Sequence, residues 1–218
     1  MSSSRRAKPI VAVSQSVELR SERGERRDWL DQRLSSWLLA VGTCPVPVPN
    51  AVASDAASAG VHTWLCNILP DAILLSGGND LGAIPERDLT ESTLLHYARC
   101  HQRPVLGICR GMQMLAADGG TELREIDGHI ASRHALDSSS GELWPTEVNS
   151  FHRYGLAGCP RGFIAVATAR KDGSIEAIRH ESLPWEGWMW HPEREVSFAT
   201  SDVRRARRLF GIEPVEIR

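Results

Sequence analysis

Pro104-Val-Leu-Gly-Ile-Cys-Arg-Gly-Met-Gln113 is the stretch that decides the fold. Val105, Leu106 and Ile108 read as a buried strand, and Met112, Met114, Leu115 and Ala116 as the apolar side of a helix. Between them, Gly107-Ile108-Cys109-Arg110-Gly111 has the Gly-x-Cys-x-Gly spacing of a nucleophile elbow. Such a turn is so sharp that only glycines on either side leave room for the nucleophile. It aims Sγ out of the sheet and sets it at a helix N-terminus, where free N–H groups and the helix dipole favour a thiolate. Most free cysteines are small buried residues. The flanking glycines and the strand-to-helix context make the elbow the better reading of Cys109.

Working outward toward the N-terminus, Ile10–Val13 reads as a first strand, followed by a charge-dense solvated loop over residues 18–27. Leu30, Leu34, Trp37, Leu38 and Val41 fall on one helical face that Gly42 terminates. Residues 44–49 alternate Pro with Cys44 and Val, which suits an edge strand. Ala57, Val61, Leu65 and Ile68 mark a second helix, with Trp29 and Trp64 read as packing residues. Residues 71–75 form a compact apolar strand that ends in Ser76-Gly77-Gly78-Asn79-Asp80. A helix around Leu94, Leu95 and Ala98 follows, with Asp88 or Thr90 as its cap.

Alternating strands and helices call for a parallel sheet with helices on both faces, and ligands sit beyond the C-terminal strand ends. Gly77-Gly78 and Cys109 therefore share one crevice. After Gly119-Gly120 the pattern changes to short strands at residues 121–126, 142–149, 163–169, 174–178 and 185–190. A helix over 202–210 closes the chain, with Arg204, Arg205, Arg207 and Arg208 on its exposed face.

A nucleophilic cysteine needs a base and a group that orients the base. In Trp188-Met189-Trp190-His191-Pro192-Glu193 an imidazole and a carboxylate are two residues apart, on one side of an extended chain. His191 is the expected base and Glu193 its orienter. His152 is the competitor, while His129 and His134 read as loop positions. Backbone N–H groups of Gly78 and Arg110 are the expected oxyanion donors.

The totals set limits. The chain has 218 residues and a net charge of −2, so the charge balance implies neither a nucleic-acid nor a membrane partner. Five cysteines, an odd number with no Cys-x-x-Cys pair, suit a reduced, cytoplasmic protein. Residues 1–8 read as a disordered tail and 9–218 as a single domain. The Cys and His residues lack zinc-site spacing, so no metal or cofactor is expected.

Together these residues resemble the class I glutamine amidotransferase family, and most closely its gamma-glutamyl-gamma-aminobutyrate hydrolase branch. The matching segments are LLSGGNDLG (74–82), RPVLGICRGMQML (103–115), GGTELREI (119–126), EVNSFHRYGL (147–156), DGSIEAI (172–178) and WMWHPE (188–193). The resemblance implies an α/β fold: a flavodoxin-like, mostly parallel central sheet, helices on both faces, and extra antiparallel strands in the C-terminal half. It implies a Cys-His-Glu triad at Cys109, His191 and Glu193. It also implies cleavage of a gamma-glutamyl amide through a glutamyl thioester. Gly77, Gln113, Asn149, Ser150, Phe151 and His152 match positions that hold the glutamyl group in relatives.

Two departures bear on the leaving group. Met189 stands where relatives often have Gln, and Arg153-Tyr154 where His-Gln is usual. A short subgroup with Ser-Gly-Gly-Asn-Asp resembles gamma-glutamyl-CDP-amidate hydrolases, and Arg20, Arg23, Arg87, Arg110 and Arg153 would suit an anionic leaving group. The expected partner is thus a small gamma-glutamyl substrate, with a homodimer left open. The alternatives are a glutaminase subunit with a separate synthase partner, and a non-catalytic binding module on the same fold.

Overall fold

The computed structural model describes residues 8–53, 59–138 and 144–212. The tail expected over residues 1–8 lies outside the described residues apart from Lys8. So do Ala57 of the second expected helix and residues 142 and 143 of the strand expected from 142. Strands β1 (Ile10–Val13), β4 (Cys44–Pro47), β5 (Ala72–Leu75), β6 (Val105–Ile108) and β13 (Trp185–Trp188) are parallel neighbours in the order β4-β1-β5-β6-β13. Numbered along the chain, that order is 2-1-3-4-5, the flavodoxin-like arrangement. From β13 the sheet continues antiparallel through β12 (Ile175–His180), β11 (Phe163–Ala169), β8 (Ser132–Ser138) and β9 (Glu147–Ser150).

The parallel strands are buried on both faces, so alternate side chains feed two cores. Val11, Val13, Leu74, Leu106, Ile108 and Trp188 pack with α1 (Gln32–Val41) and α5 (Thr200–Leu209). Ala12, Ile73, Leu75, Val105 and Trp185 pack with α2 (Ala59–Ile68), α3 (Pro85–Cys100) and α4 (Arg110–Asp118). Asp31 caps α1 by accepting from the Arg33 N–H, and Gly42 ends it at φ 98°, a conformation that favours glycine.

Several elements differ from the sequence reading. The charge-dense loop is a hairpin, β2 (Ser16–Arg20) and β3 (Glu25–Trp29), with charged side chains along its outer surface. Strands β8 and β10 (Tyr154–Leu156) had no apolar alternation to mark them; β10 pairs with β7 (Leu123–Glu125). The 185–190 segment is not part of an antiparallel meander alone: β13 lies parallel beside β6, register Trp188 to Ile108. Neither Asp88 nor Thr90 caps α3, which starts at Pro85 after Ile84. Asp88 instead accepts from the Gly82 N–H at 2.9 Å. The arginines of α5 are not all on an exposed face. Arg205 is buried, pairs with Glu186 at 2.7 Å and lies over the Trp144 ring, while Arg207 donates to the Val41 carbonyl. No described helix is long and apolar enough to cross a membrane.

Candidate active site

The parallel pairing of β6 with β13 builds the site. With Ile108 opposite Trp188, the next residues of both strands leave the same sheet edge, carrying Cys109 and, three residues past Trp188, His191. β5 ends one strand away, where Ser76-Gly77-Gly78-Asn79 begins.

Cys109 has φ 51° and ψ −106°, a strained conformation for a residue with a side chain, and it directly precedes α4. Its N–H donates to the Trp188 carbonyl at 2.7 Å, and its carbonyl accepts from the Gln113 N–H at 3.1 Å. The two glycines are there for space. A Cβ on Gly107 would sit 2.5 Å from the Gly111 carbonyl, and one on Gly111 would sit 2.1 Å from the Leu75 oxygen. Strand, turn and helix are therefore in backbone contact.

On one side the His191 ring lies near Cys109, whose charge favours the imidazolium. On the other, His191 Nδ1 lies 2.7 Å from Glu193 Oε1. A carboxylate accepts, so Nδ1 carries a proton and Nε2 is left for the sulfur. Burial pulls the His191 pKa down, but the bonds and charges of Cys109 and Glu193 outweigh it and push it up to about 9. The three residues are buried, with Cys109 7% exposed and the other two 3%.

Gly77 lies against the imidazole; a Cβ there would meet His191 Cε1 at 2.7 Å. Gly78 has φ 123°, and a Cβ on it would overlap Ser16 Oγ. Arg87 fixes this loop from beneath, donating to the Ser76 and Gly77 carbonyls at 2.8 and 2.9 Å and to Ser16 Oγ at 2.8 Å. Arg110 donates to the Asn79 carbonyl at 3.0 Å and pairs with Asp88 and Glu91. Gly78 lines a small cleft with His191, and Arg110 directly follows Cys109. Burial lowers the Arg87 pKa to about 10 and the Arg110 pKa to about 9, the latter helped by repulsion from Arg87. Both remain cations at neutral pH, and the Arg87 charge interacts favourably with Cys109.

Other expected site residues are placed differently. Asn149 spends its amide on the base: Oδ1 accepts from the His191 N–H at 3.0 Å, and Nδ2 donates to the His191 carbonyl at 2.8 Å and to Glu195 at 2.7 Å. This makes it a positioning residue. Asn149→Ala is expected to lower kcat roughly 10- to 100-fold with a smaller change in KM, because the imidazole loses its anchor; steady-state kinetics on the folded variant check this. Ser150 Oγ donates to the His129 carbonyl at 2.7 Å, and His152 faces Glu176 in a buried cluster. Gln113 donates to the Tyr154 carbonyl at 2.9 Å. Phe151 is 42% exposed and meets the His191 ring edge-on at a centroid distance of 5.9 Å.

The arginines expected to receive an anion are mostly occupied. Arg87 and Arg110 are the loop supports just described, while Arg20 and Arg153 pair with Glu18 and Glu125. Met189 is buried in the helix-side core. The charge-dense segment could be a solvated loop or one reaching over a site, and the sequence favours the solvated reading; the hairpin instead borders the site. Ser16 and Trp29 line a small cleft together with Leu30, Gly77, Gly78, His191 and Arg194. Trp29, read as a packing residue, is 47% exposed there. A larger cavity of about 290 Å³ lies elsewhere, beside Arg99, Asp118, Arg161 and His180.

Over 130 residues, 57% of its length, this chain is 33% identical to the gamma-glutamyl-CDP-amidate hydrolase of Campylobacter jejuni. Over 232 residues, covering 85% of both chains, it is 27% identical to the gamma-glutamyl-gamma-aminobutyrate hydrolase of Escherichia coli. The carbamoyl phosphate synthase small chain of Ruegeria pomeroyi is 32% identical over 71% of this chain. The aligned part spans 62% of the Campylobacter protein and 38% of the Ruegeria protein, under two thirds of either. Among solved structures, a glutamine amidotransferase from Thermotoga maritima superposes with a TM-score of 0.61 at 16% identity, covering 95% of both chains. That likeness establishes the fold. The family model for Peptidase C26 matches residues 9–193, and the chain belongs to the Peptidase C26 family.

Proposed function

We propose that this chain is a stand-alone, cysteine-dependent hydrolase that releases glutamate from a gamma-glutamyl amide. The observation that carries the proposal is the buried His191 imidazole, bonded to Glu193 at 2.7 Å and raised in pKa by Glu193 and the nearby Cys109. A thiolate beside an imidazolium at a helix N-terminus is a ready nucleophile. In the proposed reaction, Cys109 Sγ attacks the side-chain carbonyl of the glutamyl group. The oxyanion is held by the N–H groups of Gly78 and Arg110. His191 gives its proton to the departing amine, leaving a glutamyl thioester. Water, deprotonated by His191, then attacks the thioester and releases glutamate and free Cys109. Relatives named for gamma-glutamyl-CDP-amidate and gamma-glutamyl-gamma-aminobutyrate hydrolysis support the substrate class.

The test is glutamate release by the purified chain across glutamine, gamma-glutamyl-aminobutyrate, other gamma-glutamyl amines and a gamma-glutamyl nucleotide phosphoramidate. Turnover of one such amide, without glutamine turnover and without a partner, is the expected result. The likeness to carbamoyl phosphate synthase small chains favours a second reading, a glutaminase subunit. That reading requires activity on glutamine, raised by a separate synthase.

The pH profile follows from His191. Its pKa is raised above the ordinary 6.5 to about 9, so the imidazolium that protonates the amine persists to about pH 9. The alkaline limb of kcat/KM is expected near pH 9, and Glu193→Gln is expected to move it to lower pH. The stability from this pair has the same direction. It is complete below about 6.5, where His191 is charged folded or unfolded, and is lost as pH rises through about 9. Rate profiles and thermal melts across that window check both.

A further inference from the structure

A second buried cluster lies in the antiparallel half of the sheet. His134 stands on β8 and Glu176 on β12, while His129 and His152 lie on the segments entering β8 and leaving β9. Glu176 is fully buried, and three ring nitrogens surround its Oε1: His129 Nδ1 at 3.4 Å, His134 Nε2 at 3.4 Å and His152 Nε2 at 3.6 Å. These distances exceed ordinary N–H···O hydrogen bonds. They match the edge of a tetrahedron of ligand atoms about 2.05 Å from a central ion, which is roughly 3.3 Å. His134 Nε2, His152 Nε2 and Glu176 Oε2 have no hydrogen-bond partner, and each residue is at least nine-tenths buried. An unpartnered buried polar atom is costly.

The outer contacts fix which nitrogens carry protons. His129 Nε2 lies 2.8 Å from Asp172 Oδ2, and a carboxylate only accepts, so that nitrogen is the donor. His152 Nδ1 lies 3.2 Å from the Tyr154 carbonyl and donates for the same reason. In the neutral rings the inward atoms, His129 Nδ1 and His152 Nε2, are then lone pairs aimed at a carboxylate oxygen. Lone pairs facing a carboxylate repel it unless a proton or a metal cation stands between them, and the carboxylates of Glu176 and Asp172 raise the His129 pKa in the direction either cation needs. A carboxylate that orients the far nitrogen of a ligating histidine is the usual outer shell of a metal site. Ser174 Oγ, 3.4 Å from Glu176 Oε1 and 2.8 Å from Asp172, ties this outer shell together.

We infer that His129, His134 and Glu176, with His152 beside them, form a binding site for a divalent first-row transition ion of the Zn²⁺ class. Imidazole and carboxylate donors without thiolate suit that class, and the ligand atoms of His129, His134 and Glu176 all lie within 4.8 Å of one another. The ion would clamp β8 and the segment entering it to β12. β9, paired to β8, carries Asn149, which anchors His191. The positions 129, 134, 152 and 176 are dispersed, which is why sequence spacing did not disclose them.

The test uses the untagged full chain. As purified, it is expected to carry about one Zn²⁺-class ion per chain by elemental analysis. Chelated protein should regain roughly 5 °C of Tm with saturating Zn²⁺. Co²⁺ should give visible d–d bands without a thiolate-to-cobalt charge-transfer band. Cys109→Ser should keep the ion, and His134→Ala should lose it. A chelated wild-type chain that is folded yet gains neither Tm nor Co²⁺ bands would overturn the inference, leaving a proton-linked network only. Co²⁺ bands that show thiolate transfer and vanish in Cys109→Ser would overturn it as well, because the ion would then sit at the active site.

Discussion

Cys109→Ser is expected to lower glutamate release from the preferred gamma-glutamyl amide by on the order of 10,000-fold or more, with the fold unchanged. The proposed reaction begins at Sγ, beside an imidazole whose pKa is raised to about 9. An imidazolium stabilises an adjacent thiolate, but a serine hydroxyl is far too weak an acid to supply the anion. The serine would carry the same backbone strain at φ 51° and the same N–H bond to Trp188. Circular dichroism and Tm should therefore stay near wild type while turnover disappears. A folded serine variant keeping a tenth or more of the activity would remove Cys109 from the chemistry.

Gly111→Ala is expected to act on the fold instead. The new Cβ would lie 2.1 Å from the Leu75 oxygen and 2.7 Å from the Leu75 carbon. Both atoms are backbone of a buried strand paired to β6, so neither can yield as a flexible side chain would. The helix must lift from the sheet, and Met112, Leu115 and Ala116 lose contact with the core beneath. Overpacking of this kind costs about 3 kcal/mol, or roughly 6–12 °C in Tm for a chain this long. Gly158→Ala is the control: nothing lies within 4 Å of its Cβ position. A shift within about 0.5 kcal/mol is expected there. Equal melts for the two variants would contradict the close strand–helix contact.

The elbow was legible because its requirements are local. Two glycines at fixed offsets from a cysteine, after a β-branched run and before an apolar helix, have few other physical explanations. His191 and Glu193 were legible for the same reason, since extended chain puts positions two apart on one side. The hairpin over residues 16–29 was not. Its strands carry charge on their outer surface, so neither period 2 nor an apolar run marks them. The Trp185–Trp190 segment is apolar apart from Glu186 because β13 is buried on both faces, the habit of a parallel strand. Asn149 and Arg205 needed coordinates. An asparagine that braces a base and an arginine buried against Glu186 have the same one-letter signature as solvated residues. The dispersed histidines around Glu176 are the extreme case, joined only by the register of β8, β9 and β12.

The central claim is a covalent glutamyl intermediate on Cys109, and mass spectrometry of the quenched enzyme tests it most directly. The chain is mixed with a turned-over gamma-glutamyl amide, stopped with acid within one turnover, and weighed intact and after digestion. The account predicts a glutamyl adduct on the peptide carrying Cys109, formed in wild type and absent from Cys109→Ser. Glutamate released during turnover with no adduct at any quench time, or an adduct on another residue, would contradict it.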